Sequence, residues 1–258
     1  MNTPSSCPHE LRCHIFENCP ELRRGISFRR DGKMNIKRMP DGSRDMIAKR
    51  NLLAFLHDHE LGNLPRVEPY LQHGVKVAVI TEDVHSLHPE VDAIVTNMPD
   101  LCIVLTSADC PIVILFDPES HVLGAVHSGW QGTAGNIIAP TVKAMHGLGA
   151  RSVNIRAAVG PYIQQPCYQI GGDVAEQFRG YPTQLQSYPN NKYLLDLGGV
   201  IHDQALAAGI QPEHIEVSGE CTACAKDAER NFKYFSWRRT GPPLEVMLVY
   251  ACVMPRPA

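Results

Sequence analysis

The sequence predicts one α/β (α+β) domain built on mixed β-structure. Three observations predict it. Short apolar runs bounded by turn residues recur from Val67 to Gly160 and again from Ile215 to Cys252, as buried strands require. Helical spacing appears in only a few places among these runs, so strands and helices alternate irregularly, unlike a doubly wound sheet. The 258 residues also contain no internal repeat and no long Gly/Ser linker, which favours one domain at a length where two are possible.

Taken in order, residues 1–25 mix proline, cysteine and charge without periodicity, and are expected to form a loosely packed arm ahead of a domain spanning 26–258. Residues 44–60 place Ile47, Leu52, Leu53 and Leu56 close to helical spacing, with Gly62 as the stop. YLQHGVKVAVI, DAIVTN, CIVLTS, IVILF, HVLGAVH and VNIRAAVG read as strands. A helix is expected after Gly132, carrying Ile137, Ile138, Val142 and Met145. Further helices are expected at Gly172–Phe178 and Leu197–Ala208. IEVSG, YFSWRR and EVMLVYAC return the pattern to strand.

Composition narrows the classes of function. Hydrophobic content of 44%, charged content of 20% and a formal charge of −3 describe an ordinary globular protein, with no basic surplus to attract nucleic acid or an anionic membrane. No apolar run approaches the roughly 20 residues that span a bilayer, and the amino terminus has no apolar signal core, so a cytoplasmic protein is expected. The nine cysteines are an odd number scattered along the chain, a pattern of reduced thiols rather than a disulfide framework. The glycines form neither GxGxxG nor GxxxxGKS.

Chemistry concentrates between Thr106 and Gly132. Cys110 stands just before one apolar run and His127 just after the next, and both have small neighbours: Ser107, Ala108, Ser128 and Gly129. His73, in LQHG, is a third candidate. Zinc accepts imidazole nitrogen and thiolate, and three protein ligands with one open position define a catalytic site. The spacings are far longer than those of short zinc motifs. A Cys–His nucleophile–base pair, or a buried cysteine with hydrogen-bonded core histidines, therefore remains open on the residues alone. Cys221-Thr222-Ala223-Cys224 is a CxxC without a second ligand pair at the usual spacing, and reads as two ordinary thiols. Arg238 and Arg239 stand beside aromatic residues, where guanidinium could clamp a phosphate or simply end a solvated strand. Asp109 is either a buried carboxylate or a turn former.

LQHG, DAIVTN, TSADCPIVILFDP, AVHSGWQGT, GPYIQQPCYQIGGDV and CTAC followed by YFSWRR occur in the order of the YfiH family. This is the laccase-domain, or multicopper polyphenol oxidoreductase, family, and the resemblance covers roughly residues 67 to 240. The resemblance implies a zinc-dependent purine nucleoside phosphorylase acting on adenosine, inosine, guanosine or methylthioadenosine with phosphate, with accompanying adenosine deaminase activity. It implies zinc, with copper possible, held by His73, Cys110 and His127, which match the family motifs one by one. It also implies layered mixed sheets flanked by helices, similar in fold to the deamidase domain of cytotoxic necrotizing factor. Purine nucleosides and phosphate are the expected partners, with a monomer favoured, and Arg50, Arg238 and Arg239 are the candidate phosphate ligands.

The sequence departs from the family pattern at its amino end, where only Arg24-Gly25-Ile26-Ser27 and Met34-Asn35-Ile36 keep a trace of it, and Lys49 replaces an asparagine before Arg50. After Arg239, Thr240-Gly241 runs into Pro242 instead of arginine. Rival readings are a copper-dependent phenol oxidase, a metal-free Cys–His hydrolase or deamidase, and a non-catalytic zinc-binding module. A laccase needs many histidines for its trinuclear cluster, and His-x-His occurs only at His57/His59.

Overall fold

Side chains alternate along the central strands with the period of two that a pleated sheet imposes, and both alternating sets are buried. In CIVLTS, Ile103 and Leu105 enter one apolar cluster while Cys102 and Val104 enter another. In IVILF, Ile112, Ile114 and Phe116 join the first cluster, and Val113 and Leu115 a third. The strands therefore lie inside a stack of layers, which is why they read as unbroken apolar runs.

A computed structural model of the chain describes residues 9, 11, 13–35, 45–82 and 86–255. Its elements run β1 (Leu22–Ile26), α1 (Met46–Asp58), β2 (Arg66–Val67), β3 (Val77–Ile80), β4 (Ser86–Leu87), β5 (Ala93–Thr96), β6 (Cys102–Ser107), β7 (Ile112–Asp117) and β8 (Val122–His127). They continue with α2 (Trp130–Ala134), α3 (Ile138–Gly147), β9 (Arg156–Val159), β10 (Gln169–Gly171), α4 (Gly172–Glu176), β11 (Leu185–Tyr188), β12 (Lys192–Leu195), α5 (Leu197–Ala207), β13 (Ile215–Val217), α6 (Trp237–Thr240) and β14 (Met247–Val253).

One sheet has the order β1-β14-β6-β2-β4 and a larger one the order β13-β9-β7-β8-β5-β3; a third, small sheet is β10-β12-β11. The two large sheets mix parallel and antiparallel pairs. They face each other across the first cluster, which draws Ile103, Leu105, Met247 and Val249 from one and Ile112, Ile114, Phe116 and Leu123 from the other. The outer face of the five-stranded sheet is covered by Leu52, Phe55 and Leu56 of α1. The outer face of the six-stranded sheet is covered by Ile138, Val142 and Met145 of α3 and Val200 and Ile201 of α5. The architecture is a single mixed α/β fold with several mixed sheets. Among the described residues no helix is long and apolar enough to cross a membrane.

Several expectations need correction. Of the stretch expected as a loose arm, residues 1–8, 10 and 12 lie outside the described residues; among the others Leu11, Cys13, Phe16 and Cys19 are buried in the core, and residue 25 lies inside β1, which pairs with β14. Two arginines hid this strand; Arg24 is nonetheless buried, with its guanidinium 5.2 Å from the Phe16 ring centroid. Helix α1 starts where Asp45 accepts from the Ile47 and Ala48 N–H groups and ends at Asp58, ahead of Gly62. Ile47 and Leu53, expected on its apolar face, point to solvent. The helix expected after Gly132 already begins at Trp130, and Asn136, at φ 55°, separates α2 from α3. YFSWRR is not a strand: Ser236 accepts from the Arg239 N–H at 3.2 Å and caps the helical turn α6. Strand structure in YLQHGVKVAVI is confined to β3, so His73 lies in a turn at φ 60°.

Candidate metal centre

Sheet register brings Cys110 and His127 together. His127 is the last residue of β8 and pairs with Ile112 at the start of β7, two positions after Cys110. Asp109, at φ 94°, turns the chain out of β6 so that Cys110 faces the end of β8, and the Ser107 hydroxyl donates to the Cys110 carbonyl at 2.6 Å. His73 arrives from the turn before β3, the strand that pairs with β5 beside β8. One ligand atom from each of His73, Cys110 and His127 lies within 4.8 Å of the others. His127 is buried, Cys110 half-buried and His73 exposed.

Asp92 organises the cluster. Fully buried just ahead of β5, its carboxylate accepts from the backbone N–H groups of Gln72, His73 and Gly74 at 3.2, 2.9 and 2.8 Å. Its Oδ1 also stands 2.9 Å from His127 Nδ1. That partner assigns the proton to Nδ1 and leaves Nε2 as the nitrogen available to a metal, the usual carboxylate–histidine arrangement of metal sites. Sequence reasoning missed Asp92. Its only signal was an acidic residue directly before a strand with no polar face.

Gly129 keeps the meeting point open. A Cβ there would stand 3.1 Å from Cys110 Sγ, 3.2 Å from His73 Cδ2 and 3.4 Å from His127 Cε1.

The charges are mutually dependent. Burial pushes the Cys110 thiol up, but the charge of His127 and hydrogen bonds from both histidines outweigh it and bring the thiol to about 6. Burial pulls His127 down, while the Cys110 thiolate and the Asp92 carboxylate raise it to about 9. Burial likewise opposes ionisation of Asp92, and the hydrogen bonds from His127 and Gly74 hold it below the usual carboxylate range. The shifts favour negative charge on Cys110 and positive charge on His127, each supported by the other and by the Asp92 carboxylate. Two imidazoles and a thiolate form a donor set that suits zinc and copper alike.

The cluster lies at one side of a cavity of about 560 Å³ whose lining includes Tyr70, Trp130, Tyr168, Trp237, Asn35 and Arg238. Asn35 donates from Nδ2 to the Leu244 carbonyl at 2.9 Å, while its buried Oδ1 has no hydrogen-bond partner among the described residues. Arg238 donates to the Gln169 carbonyl at 2.8 Å and lies over the Tyr168 ring. Asp109 is a buried carboxylate, accepting from Thr222 Oγ1 at 2.6 Å, Ser236 Oγ at 3.0 Å and the Arg238 N–H at 2.7 Å.

The structure does not gather the three candidate arginines. Only Arg238 lines the cavity. Arg239 directs its guanidinium to the carbonyls of Thr222, Ala223 and Tyr234, over the Phe232 ring. Arg50 lies on an exposed position of α1 away from the cavity lining.

The model of a family described as multi-copper polyphenol oxidoreductase laccase matches residues 23–247. A purine nucleoside phosphorylase of Deinococcus radiodurans is 35% identical over 220 residues, covering 83% of this chain and 80% of that protein. An adenosine deaminase, RL5, of an unknown prokaryotic organism is 31% identical over 188 residues, covering 68% of this chain and 70% of its own. Among solved structures, YlmD from Geobacillus stearothermophilus superposes with a TM-score of 0.83 at 24% identity, covering 97% of this chain and 98% of its own. The hypothetical protein YfiH of Bacillus licheniformis has the same TM-score at 22% identity, covering 96% and 97%. At these identities the two structures establish the fold alone.

Proposed function

The chain belongs to the multi-copper polyphenol oxidoreductase laccase family, and from that premise we propose that it is a zinc-dependent purine nucleoside phosphorylase with accompanying adenosine deaminase activity. The observation that carries this reading is the convergence of His73, Cys110 and His127 on one point beside an aromatic-lined cavity. Relatives named for phosphorolysis and for deamination of purine nucleosides support it. Substrates are adenosine, inosine, guanosine or methylthioadenosine, with phosphate as co-substrate.

The residues fit a zinc ion. Asp92 fixes the His127 tautomer, Cys110 is already drawn toward thiolate, and Gly129 leaves the space that a side chain would fill. When bound, zinc supplies Lewis-acid activation of a water or a substrate oxygen at neutral pH.

The rest of the work falls to side chains. Tyr70, Tyr168 and Trp237 offer faces on which a purine stacks. Asn35, on the cavity lining, offers an amide to the polar edge of the base. Arg238, already turned toward the cavity, attracts phosphate and orients it for attack on C1′ of the pentose as the glycosidic bond breaks. Arg50 and Arg239 take no part in that binding. In the deamination branch the same pocket presents purine C6 to water, and ammonia leaves.

A second reading has one observation behind it. The opposite charges favoured on Cys110 and His127 would make Cys110 a nucleophile and His127 its base if no metal were held. Metal content separates the two, because a ligated thiolate is not free to attack. The function is tested by incubating protein with adenosine, inosine and methylthioadenosine, each with and without phosphate. Phosphate-dependent release of free base is expected, with inosine formed from adenosine. Release of base without phosphate, or no turnover at all, would refute the phosphorylase.

A further inference from the structure

Cys221 and Cys224 acquire a third thiol that the sequence separates from them by more than fifty positions. Cys167 closes a short helical turn, Gln165–Cys167, at the same edge, and the sulfurs of Cys167, Cys221 and Cys224 all lie within 4.8 Å of one another. We propose that these three cysteines form a second metal site, taking one zinc ion through three thiolates, separate from the cluster of His73, Cys110 and His127.

The backbone is shaped for this before any ion arrives. Cys221 pairs with Tyr162 in a parallel bridge, and the Thr222 N–H donates to the Tyr162 carbonyl at 3.0 Å. The Ala225 N–H closes back on the Cys221 carbonyl at 2.9 Å, folding the CxxC into a tight turn. Arg239 straps that turn from outside through the carbonyls of Thr222 and Ala223. The Gln164 N–H donates to Cys221 Sγ at 3.4 Å, the kind of N–H···S bond that steadies a thiolate.

Electrostatics point the same way. Burial raises the Cys167 thiol, and its sulfur neighbours push it further, to about 12; Cys224 is raised as well. Cys221 is instead lowered, since backbone N–H groups outweigh its burial. Three sulfurs held within 4.8 Å of one another leave one shared position for a divalent cation. Thiolates select zinc among common divalent ions, at Zn–S distances of about 2.3 Å. Cys224 is exposed, so an ion can reach the three sulfurs from solvent.

The site ties together two walls of the purine cavity. Thr222, inside the CxxC turn, donates to Asp109, the neighbour of Cys110. Tyr168, next to Cys167, lines the cavity and carries the Arg238 guanidinium on its ring. Zinc here is structural: it fixes the distance between the 164–169 and 221–224 segments. None of its three ligands lines the cavity itself.

Cobalt(II) tests the site in full-length, reduced, metal-stripped Cys110→Ala protein, where the first cluster retains no thiolate. One equivalent should produce a thiolate-to-cobalt charge-transfer band that added zinc abolishes by displacement. Introducing Cys224→Ser on this background should lower the band by about one third and weaken cobalt binding, as one of three thiolate ligands is lost. Cys224 is exposed, so this variant should keep its circular dichroism, and Cys167→Ser should repeat the effect. Zinc should raise the melting temperature of the Cys110→Ala parent by more than that of the double variant. No charge-transfer band in the parent, or a band unchanged by both serine substitutions, would overturn the proposal.

Discussion

The Asp92 carboxylate and the His127 imidazole are joined by a 2.9 Å hydrogen bond through Nδ1, in a place where neither side chain reaches bulk water. That bond fixes which nitrogen of His127 faces Cys110. The same carboxylate holds the turn that delivers His73, so one acidic side chain positions two of the three candidate ligands.

Replacing Asp92 should therefore weaken the site without removing a ligand. Asp92→Asn keeps one acceptor oxygen but loses the charge that favours the Nδ1–H tautomer. Zinc affinity, measured by competition with a chromogenic chelator, should fall roughly 10- to 100-fold. Unchanged affinity would show that the turn and the β8 end hold the histidines unaided.

Gly129→Ala should damage the centre through space alone. The residue sits at φ −61° and ψ 170°, which alanine adopts freely, so the backbone has no reason to object. The new Cβ would press on Cys110 Sγ and both imidazoles. Zinc retention and turnover should drop together while circular dichroism stays that of the parent.

In metal-stripped protein the Cys110 thiol should alkylate with an apparent midpoint near pH 6, since His127 and His73 stabilise the thiolate. The sign follows from the direction of the shift: the reactive form prevails above that midpoint and is lost below it. Site-resolved mass spectrometry after iodoacetamide treatment across pH 5–9 reads it, and zinc should suppress labelling of Cys110. A midpoint near the ordinary thiol value would contradict the ion pair.

The three arginines should separate by kinetics. Arg238→Ala should raise KM for phosphate roughly 10- to 100-fold, the loss expected for charge-assisted hydrogen bonds. Arg50→Ala should leave that KM alone. Arg239→Ala should lower the melting temperature, because it frees two backbone carbonyls of the CxxC turn and that of Tyr234.

Much of this fold was legible because its central strands are buried on both faces. CIVLTS, IVILF and HVLGAVH could hardly be anything but strands, and β6, β7 and β8 follow them closely. Legibility failed where burial is partial. Strands β11 and β12 carry exposed polar residues and lack a continuous apolar run. YFSWRR looked extended because its aromatic residues suit strands, yet the Ser236 cap and the Asp109 carboxylate bend it into a helical turn. In the candidate site, His73, Cys110 and His127 stood out by residue type. Asp92 there, and Cys167 in the separate cysteine cluster, did not, since their significance comes from strands and loops that meet only in three dimensions.

In the proposed function, nucleoside phosphorolysis depends on metal held at Cys110. The most direct test measures ribose 1-phosphate formed from inosine and phosphate by zinc-loaded protein and by Cys110→Ala, with zinc content determined on the same samples. The parent should form product and retain zinc at the first cluster, and the variant should lose both. A variant that still forms ribose 1-phosphate at the parental rate would contradict a role for metal at Cys110.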